Sequence, residues 1–220
     1  TQLNRLLDRI ADGGGVDDKY AQLVALLGAS KSKQKDLDKS IFTPEFRDQK
    51  VLVFTEFADT ARYLQERLTA DGIADVDRLD GSRGGDRFAM IKRFAPFYNR
   101  VTEADRALQK PLRVLVSTDV LSEGVNLQDA TLMINYDLHW NPVRLMQRIG
   151  RVDRRMDQAT ETAIVKADPA TKKSRGHIQI RNFLPPDDLE ILLKLFNRVQ
   201  NKVVMISKTL GIPGGKLLDE

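Results

Sequence analysis

Cysteine is absent from all 220 residues, which removes disulfide frameworks, thiolate zinc sites and cysteine nucleophiles together. Histidine is almost as scarce. His139 and His177 are the only two, 38 residues apart, so no histidine-based metal centre is expected. No apolar run approaches the roughly 20 residues that a membrane helix needs, and no charged-then-apolar opening marks a secretory signal. The chain opens on Thr1 instead of Met, which points to an excised piece or a processed product. Nor does charge of one sign prevail. The 35 Lys and Arg stand against 31 Asp and Glu, and the formal +4 only mildly favours an anionic partner. These absences leave a soluble, cytoplasmic globular domain with no membrane partner. At this length, with 41% hydrophobic residues, the chain can bury a sizeable core.

What is present alternates between strand-like and helix-like patterning. Val51-Leu52-Val53-Phe54 is a compact run of β formers, suited to a strand buried on both faces. From Thr60 to Leu68, Ala61, Leu64 and Leu68 fall at helical spacing. Val76 to Leu79 reads as a weaker strand, and Asp80-Gly81-Ser82 after it is turn chemistry. Phe88, Ile91 and Phe94 mark a second amphipathic helix. Leu112 to Ser117 and Thr131 to Tyr136 read as the third and fourth strands, Val143 to Ile149 as a helix, and His177 to Phe183 as a fifth strand. Leu189 to Leu210 predicts a long closing helix. This rhythm implies βαβ units, hence an α/β fold with a parallel sheet and helices on both faces. The expected organisation is an N-terminal helix (Lys19 to Leu27) and linker over 1–49, a main domain over 50–185, and a C-terminal helix over 186–220. Ser30 to Ser40, Tyr98 to Lys110 and Asp157 to Gly176 are polar, and solvated loop is the expectation for all three.

Ligands of parallel α/β sheets gather outside the carboxyl ends of the strands. After the third strand comes Ser117-Thr118-Asp119-Val120-Leu121-Ser122-Glu123-Gly124-Val125-Asn126-Leu127-Gln128. Hydroxyls and backbone N–H groups at a helix start can hold a phosphate oxygen. Gly124 lets the backbone approach a ligand closely, and Asn126 offers both donor and acceptor. The same residues also suit an ordinary strand-to-helix cap, with Thr118 or Asp119 at the N-cap. Further on stands Gln147-Arg148-Ile149-Gly150-Arg151-Val152-Asp153-Arg154-Arg155. Arg148, Arg151 and Arg154 recur every three residues, so they are expected to point in broadly similar directions. Clustered guanidiniums call for an anion or an acidic partner, and their planar forks suit the oxygens of a triphosphate. Asp153 and Asp157 are alternative local partners.

In combination these segments resemble superfamily 2 helicases. The Gln147–Arg154 run resembles motif VI, Ser117–Asn126 resembles motif V, and Lys50–Phe57 resembles motif IV. Leu79–Ser82 with Arg87 resembles the stretch that follows motif IV. Asp137-Leu138-His139-Trp140-Asn141-Pro142 resembles the Asp-x-x-Trp-Asn-Pro element of SWI/SNF-type double-stranded DNA translocases. Asn182-Phe183-Leu184-Pro185 is similar to the bacterial branch that includes the RNA polymerase-recycling ATPase. One departure is the absence of a Gly-Gln after Arg155.

No Gly-x4-Gly-Lys-Ser/Thr occurs in the sequence, and no Asp-Glu-x-His or similar acidic box follows a strand in its N-terminal region. The resemblance therefore implies the second RecA-like lobe of a two-lobed ATPase, inactive alone, with the P-loop lobe as its partner. It implies ATP as cofactor, with Mg²⁺ held by that other lobe, and nucleic acid, duplex DNA foremost, as substrate. It makes Arg151 and Arg154 catalytic arginine fingers and places Gly124, Asn126, Gln147 and Arg148 on the nucleotide side. Thr55, Ser82, Thr118 and Trp140 become nucleic-acid contacts, Trp140 either in the minor groove or packed under the sheet edge. No metal ligand is implied in this chain. The alternative is a non-catalytic nucleic-acid-binding module with a helicase-derived fold. A nucleotide-binding domain of a non-motor enzyme accounts less well for the three arginines.

Overall fold

The computed structural model describes residues 17–28, 49–81, 86–119, 126–137, 139, 141–153, 157–176 and 178–183. The chain divides into two units, Thr1–Arg47 and Asp48–Glu220. Within the first, helix α1 spans Asp18–Leu26, and the Asp17 carboxylate accepts from Tyr20 N at 2.9 Å as its N-cap.

The second unit is built on five parallel strands: β1 Val51–Phe54, β2 Val76–Leu79, β3 Val114–Ser117, β4 Leu132–Asn135 and β5 Gln179–Asn182. They lie in the order β2-β3-β1-β4-β5. The apolar runs form the middle of the sheet because only there are both faces covered. All four residues of β1, β3 and β4 are buried, whereas β5 at the edge is half-buried throughout. Register places Leu52 beside Leu115 and Met133. These share a core with Phe54, Ile91, Phe94, Leu127 and Val152, each large side chain contributing ~1.5–3 kcal/mol by leaving water.

The helices of this unit are α2 Ala58–Ala70, α3 Arg87–Phe94, α4 Glu103–Leu108, α5 Pro142–Val152 and α6 Gln158–Ala167, with a 3₁₀ turn over Pro169–Lys173. From β1 the chain moves over β3 to reach β2, and every later connection moves the opposite way. Right-handed crossovers therefore put α2 on one face and α3, α5 and α6 on the other. That reversal makes the carboxyl end of β1 the crevice where a ligand is expected. Local caps fix where α3, α5 and α6 begin. Asp86 accepts from Phe88 N and Ala89 N (2.9 and 3.1 Å), Asn141 accepts from Val143 N (3.0 Å) ahead of Pro142, and Asp157 accepts from Thr160 N (2.8 Å).

Two expectations are corrected. Tyr98 to Lys110 holds a short helix, α4, because the Thr102 hydroxyl accepts from Asp105 N at 3.1 Å and starts it. Asp157 to Gly176 is not a solvated loop. It contains α6 and the 3₁₀ turn, fastened to the sheet domain through Arg175. The Ser30 to Ser40 stretch and the Leu189 to Leu210 helix lie outside the described residues. No described helix is long and apolar enough to cross a membrane.

Candidate functional site

At the reversal crevice the carboxyl ends of β3, β1 and β4 stand side by side. β1 hands over to Thr55, fully buried, whose hydroxyl donates to the Asp137 carboxylate. Glu56 N approaches the same carboxylate oxygen at 3.4 Å. Asp137 thus ties the exit of β4 to the exit of β1. Thr55 spends its hydroxyl inside the fold rather than at the surface.

The loop after β3 is fastened by Ser117, whose Oγ donates to Leu79 O at 3.0 Å, and by Thr118 N, which donates to the same carbonyl at 3.2 Å. The Thr118 side chain differs from its neighbours. The residue is 3% exposed, and among the described residues its Oγ1 has no hydrogen-bond partner. A buried hydroxyl left unpaired costs about 1–3 kcal/mol. Thr118 lines an open depression with Glu56, Ala58, Gly81, Asp119, His139 and Arg144. In it His139 accepts from Asn141 N through Nδ1 (2.9 Å), which leaves the proton on Nε2, 3.8 Å from Glu56 Oε1.

Helix α5 places its residues on two distinct sides. Leu145, Arg148 and Val152 are buried, Arg144 and Gln147 are exposed, and Arg151 is half-buried. Arg148 and Arg151 stand about 60° apart around the helix axis, since three residues advance a helix by 300°, and they differ in burial. Arg148 is 1% exposed. Its Nε and Nη2 clasp Asp119 at 2.7 and 2.9 Å, and Nη1 donates to Asp137 O at 3.1 Å and Asn135 Oδ1 at 3.3 Å. The guanidinium lies 5.2 Å from the centre of the Phe54 ring. Asn135 passes the contact on, donating to Asn182 Oδ1 on β5 at 2.7 Å. Arg148 thus fastens α5 to the loop after β3 and to the ends of β1, β4 and β5.

Of the residues singled out from sequence, Thr55, Thr118 and Arg148 come together at this rim. Gln147 is exposed on α5 and Arg151 half-buried. Asn126 lies apart, its amide donating to Tyr98 O at 3.4 Å. Ser82, Gly124, Trp140 and Arg154 lie outside the described residues. Sequence reasoning missed Asn135 and did not assign Asp137 its bridging part; the element beginning at Asp137 was the available signal.

A second polar cluster lies towards the amino ends of β1 and β4. Arg175 clasps Glu161, its Nε at 2.7 Å from Oε2, and donates to Asp129 O (2.9 Å) and Gln128 O (2.8 Å). Burial works to raise the Glu161 pKa, but hydrogen bonds from Arg175 and Tyr98 prevail and hold it below the ordinary value. Burial pushes Asp129 up, although Phe97 N and Tyr98 N each donate to it at 3.0 Å. Lys50 donates to Phe94 O and, at 3.3 Å, to Leu112 O. Burial lowers its pKa to about 8, with the Asp129 charge opposing.

The family model of the helicase conserved C-terminal domain matches residues 32–156. The ATP-dependent helicase YqhH of Bacillus subtilis, itself uncharacterized, is 40% identical over 107 residues, covering 49% of this chain and 17% of that protein. The ATP-dependent RNA helicase RhlB of Pseudomonas aeruginosa is 30% identical over 122 residues, covering 56% of this chain and 28% of RhlB. The solved C-terminal part of the Fun30 ATPase domain aligns at 21% identity and a TM-score of 0.49, over 69% of this chain and 39% of that one. The chain thus spans less than a third of the length of these two curated relatives. A parallel sheet with the arginine-bearing helix fastened to the loop after β3, matched by the family model over more than half its length, makes this chain a member of the helicase conserved C-terminal domain family.

Proposed function

We propose that this chain is the second motor lobe of an ATP-dependent superfamily 2 enzyme that moves along duplex DNA, within the SWI/SNF-type group. The observation that carries the reading is the Arg148–Asp119 clasp, which ties the residues at the exit of β3 to helix α5. Two functions then share a frame. The loop side offers Thr118 Oγ1, a hydroxyl with the chemistry to meet a backbone phosphate oxygen. The helix side carries the exposed Gln147 and the half-buried Arg151, a neutral donor–acceptor and a fixed positive charge that suit a nucleotide phosphate. Arg148 is consumed by Asp119 and two further acceptors, so its part is to support Arg151 from behind. Thr55 acts likewise through Asp137.

When bound, the nucleotide supplies the phosphoryl group, and the P-loop lobe supplies Mg²⁺. Arg151, with Arg154, neutralises charge that is fullest in the transition state, which is where an arginine contributes ~10³–10⁵ in rate. Gly124, Asn126, Ser82 and Trp140 retain their proposed contacts by the family resemblance. The choice of duplex DNA rests on the Asp137–Pro142 element, whereas the name of RhlB points to RNA. In the full-length parent, Arg151→Ala is expected to abolish nucleic-acid-stimulated ATP hydrolysis while ATP affinity stays within about tenfold. The wild-type parent should be stimulated most by double-stranded DNA, and this chain alone should hydrolyse nothing above buffer. Near-normal kcat in the variant overturns the finger assignment, and stronger stimulation by RNA or single strands overturns the choice of substrate.

A further inference from the structure

Tyr98 lies on the turn that follows α3, in a segment whose sequence gave no functional signal. Every polar group it carries is engaged. Its N–H donates to Asp129 at 3.0 Å, and its carbonyl accepts from Asn126 Nδ2 at 3.4 Å. The next residue returns that second link, because Asn99 Nδ2 donates to Asn126 O at 2.8 Å. One residue beyond Asn126, Leu127 N donates to Arg151 O at 3.3 Å. The Tyr98 hydroxyl donates to Glu161 Oε1 at 2.6 Å and accepts from Asp157 N at 3.2 Å. Burial and the hydrogen bond to Glu161 push the phenol pKa upward, so it keeps its proton as a donor at neutral pH. Arg175 fixes Glu161 from its other side.

These contacts fall at two informative places. Asn126 closes the loop that begins at Thr118, and Asp157 stands three residues beyond Arg154 as the N-cap of α6. A single side chain with its backbone therefore spans from the end of one motif to the helix start that follows the other. We propose that Tyr98 is a positioning residue for phosphoryl transfer, setting the stance of Arg151 by gripping Asn126, whose neighbour Leu127 holds the Arg151 carbonyl, while it anchors the chain at Asp157. This rests on Arg151 being a finger. Displacing a reacting constellation by about 1 Å can cost 10²-fold in rate, so loss of one anchoring oxygen has a kinetic reading that simple packing does not.

The test uses the full-length parent at a temperature well below the melting transition of each variant. Tyr98→Phe removes the oxygen and keeps the ring. It is expected to lower kcat for stimulated ATP hydrolysis at least tenfold, with KM for ATP and nucleic-acid affinity within twofold. In an Arg151→Lys background the same change should add little, because residues acting as one unit are non-additive. If Tyr98→Phe does not fold, Asn99→Ala removes the other arm and should show the same split between kcat and KM. Wild-type kcat in Tyr98→Phe, or an equal fold-loss in the Arg151→Lys background, overturns the proposal. Normal kcat in Arg151→Ala overturns the finger reading and this inference with it. An inactive Arg151→Ala beside a normal Tyr98→Phe overturns the inference alone.

Discussion

Arg148 at the carboxyl rim and Arg175 near the amino ends of the strands are bound in nearly the same way. Each clasps one carboxylate and donates to two further oxygens, and each side chain is almost entirely buried. One belongs to a motif and the other to a stretch whose composition suggested solvated loop. The difference lies in what surrounds them. Beside Arg148 stand a hydroxyl with no described partner and a helix face turned outward. Around Arg175, Glu161, Tyr98, Asp129 and the Gln128 carbonyl satisfy one another. A buried arginine therefore marks a joint, and these two joints differ in the partnerless Thr118 hydroxyl that stands beside one of them.

Removing the two arginines should break the symmetry between the clusters most visibly. Arg148→Ala leaves Asp119 unpaired and opens space over Phe54 at the centre of the sheet. A loss of about 3–5 kcal/mol is expected, read as a fall in the urea midpoint at unchanged slope. Arg175→Ala should cost less, about 2–3 kcal/mol, because Glu161 keeps its bond from Tyr98. Equal losses would show that the rim gains nothing from its central position.

Lys50 sharpens the comparison through pH. Its folded pKa of about 8 lies below the 10.5 of an ordinary lysine. Between those values the unfolded chain binds more protons than the folded one, so stability rises with pH across that window. From pH 8 to 10 the gain is roughly 2 kcal/mol if the shift is fully expressed. Denaturant titrations should show this rise in the wild type and lose it in Lys50→Met. A flat wild-type profile would mean that water reaches the amine.

The smallest effect concerns Thr118. Its hydroxyl is buried without a described partner, so Thr118→Val should leave the chain as stable or more stable by up to ~1 kcal/mol. Nucleic-acid stimulation of the parent should nevertheless weaken. A clear loss of stability would mean that the hydroxyl already has an internal partner.

The central strands were legible because apolar runs of β formers admit one reading. β1 and β2 fall where the pattern put them, and β3, β4 and β5 differ only at their ends. Helix α6 escaped notice because Ile164 is its only buried residue, so it has no apolar stripe. Its signal was the cap, Asp157 with Thr160 three residues on. The capping pair Thr102 and Asp105 announced α4 in the same way. The arginine motif identified the family, yet spacing alone could not separate the buried Arg148 from the half-buried Arg151. The Lys50 and Asp129 cluster left no trace in sequence, because its partners lie tens of residues apart and meet only once the sheet has formed.

The position of β1 in the sheet has a consequence for how the chain is made. β1 is central, yet its first neighbour in the sheet, β3, begins at Val114, 63 residues after Val51, and β4 begins 81 residues after it. At about 5–20 residues per second of synthesis, β1 waits roughly 3–13 s before any strand can pair with it. Helix α2 follows immediately and can shelter one face with Ala61, Leu64 and Leu68. The other face, Leu52 and Phe54 included, has no cover until α3 and β3 have emerged. The residues that make the finished core secure are thus the ones most exposed to aggregation on the ribosome, and a pause in translation between residues 55 and 113 would lengthen that exposure.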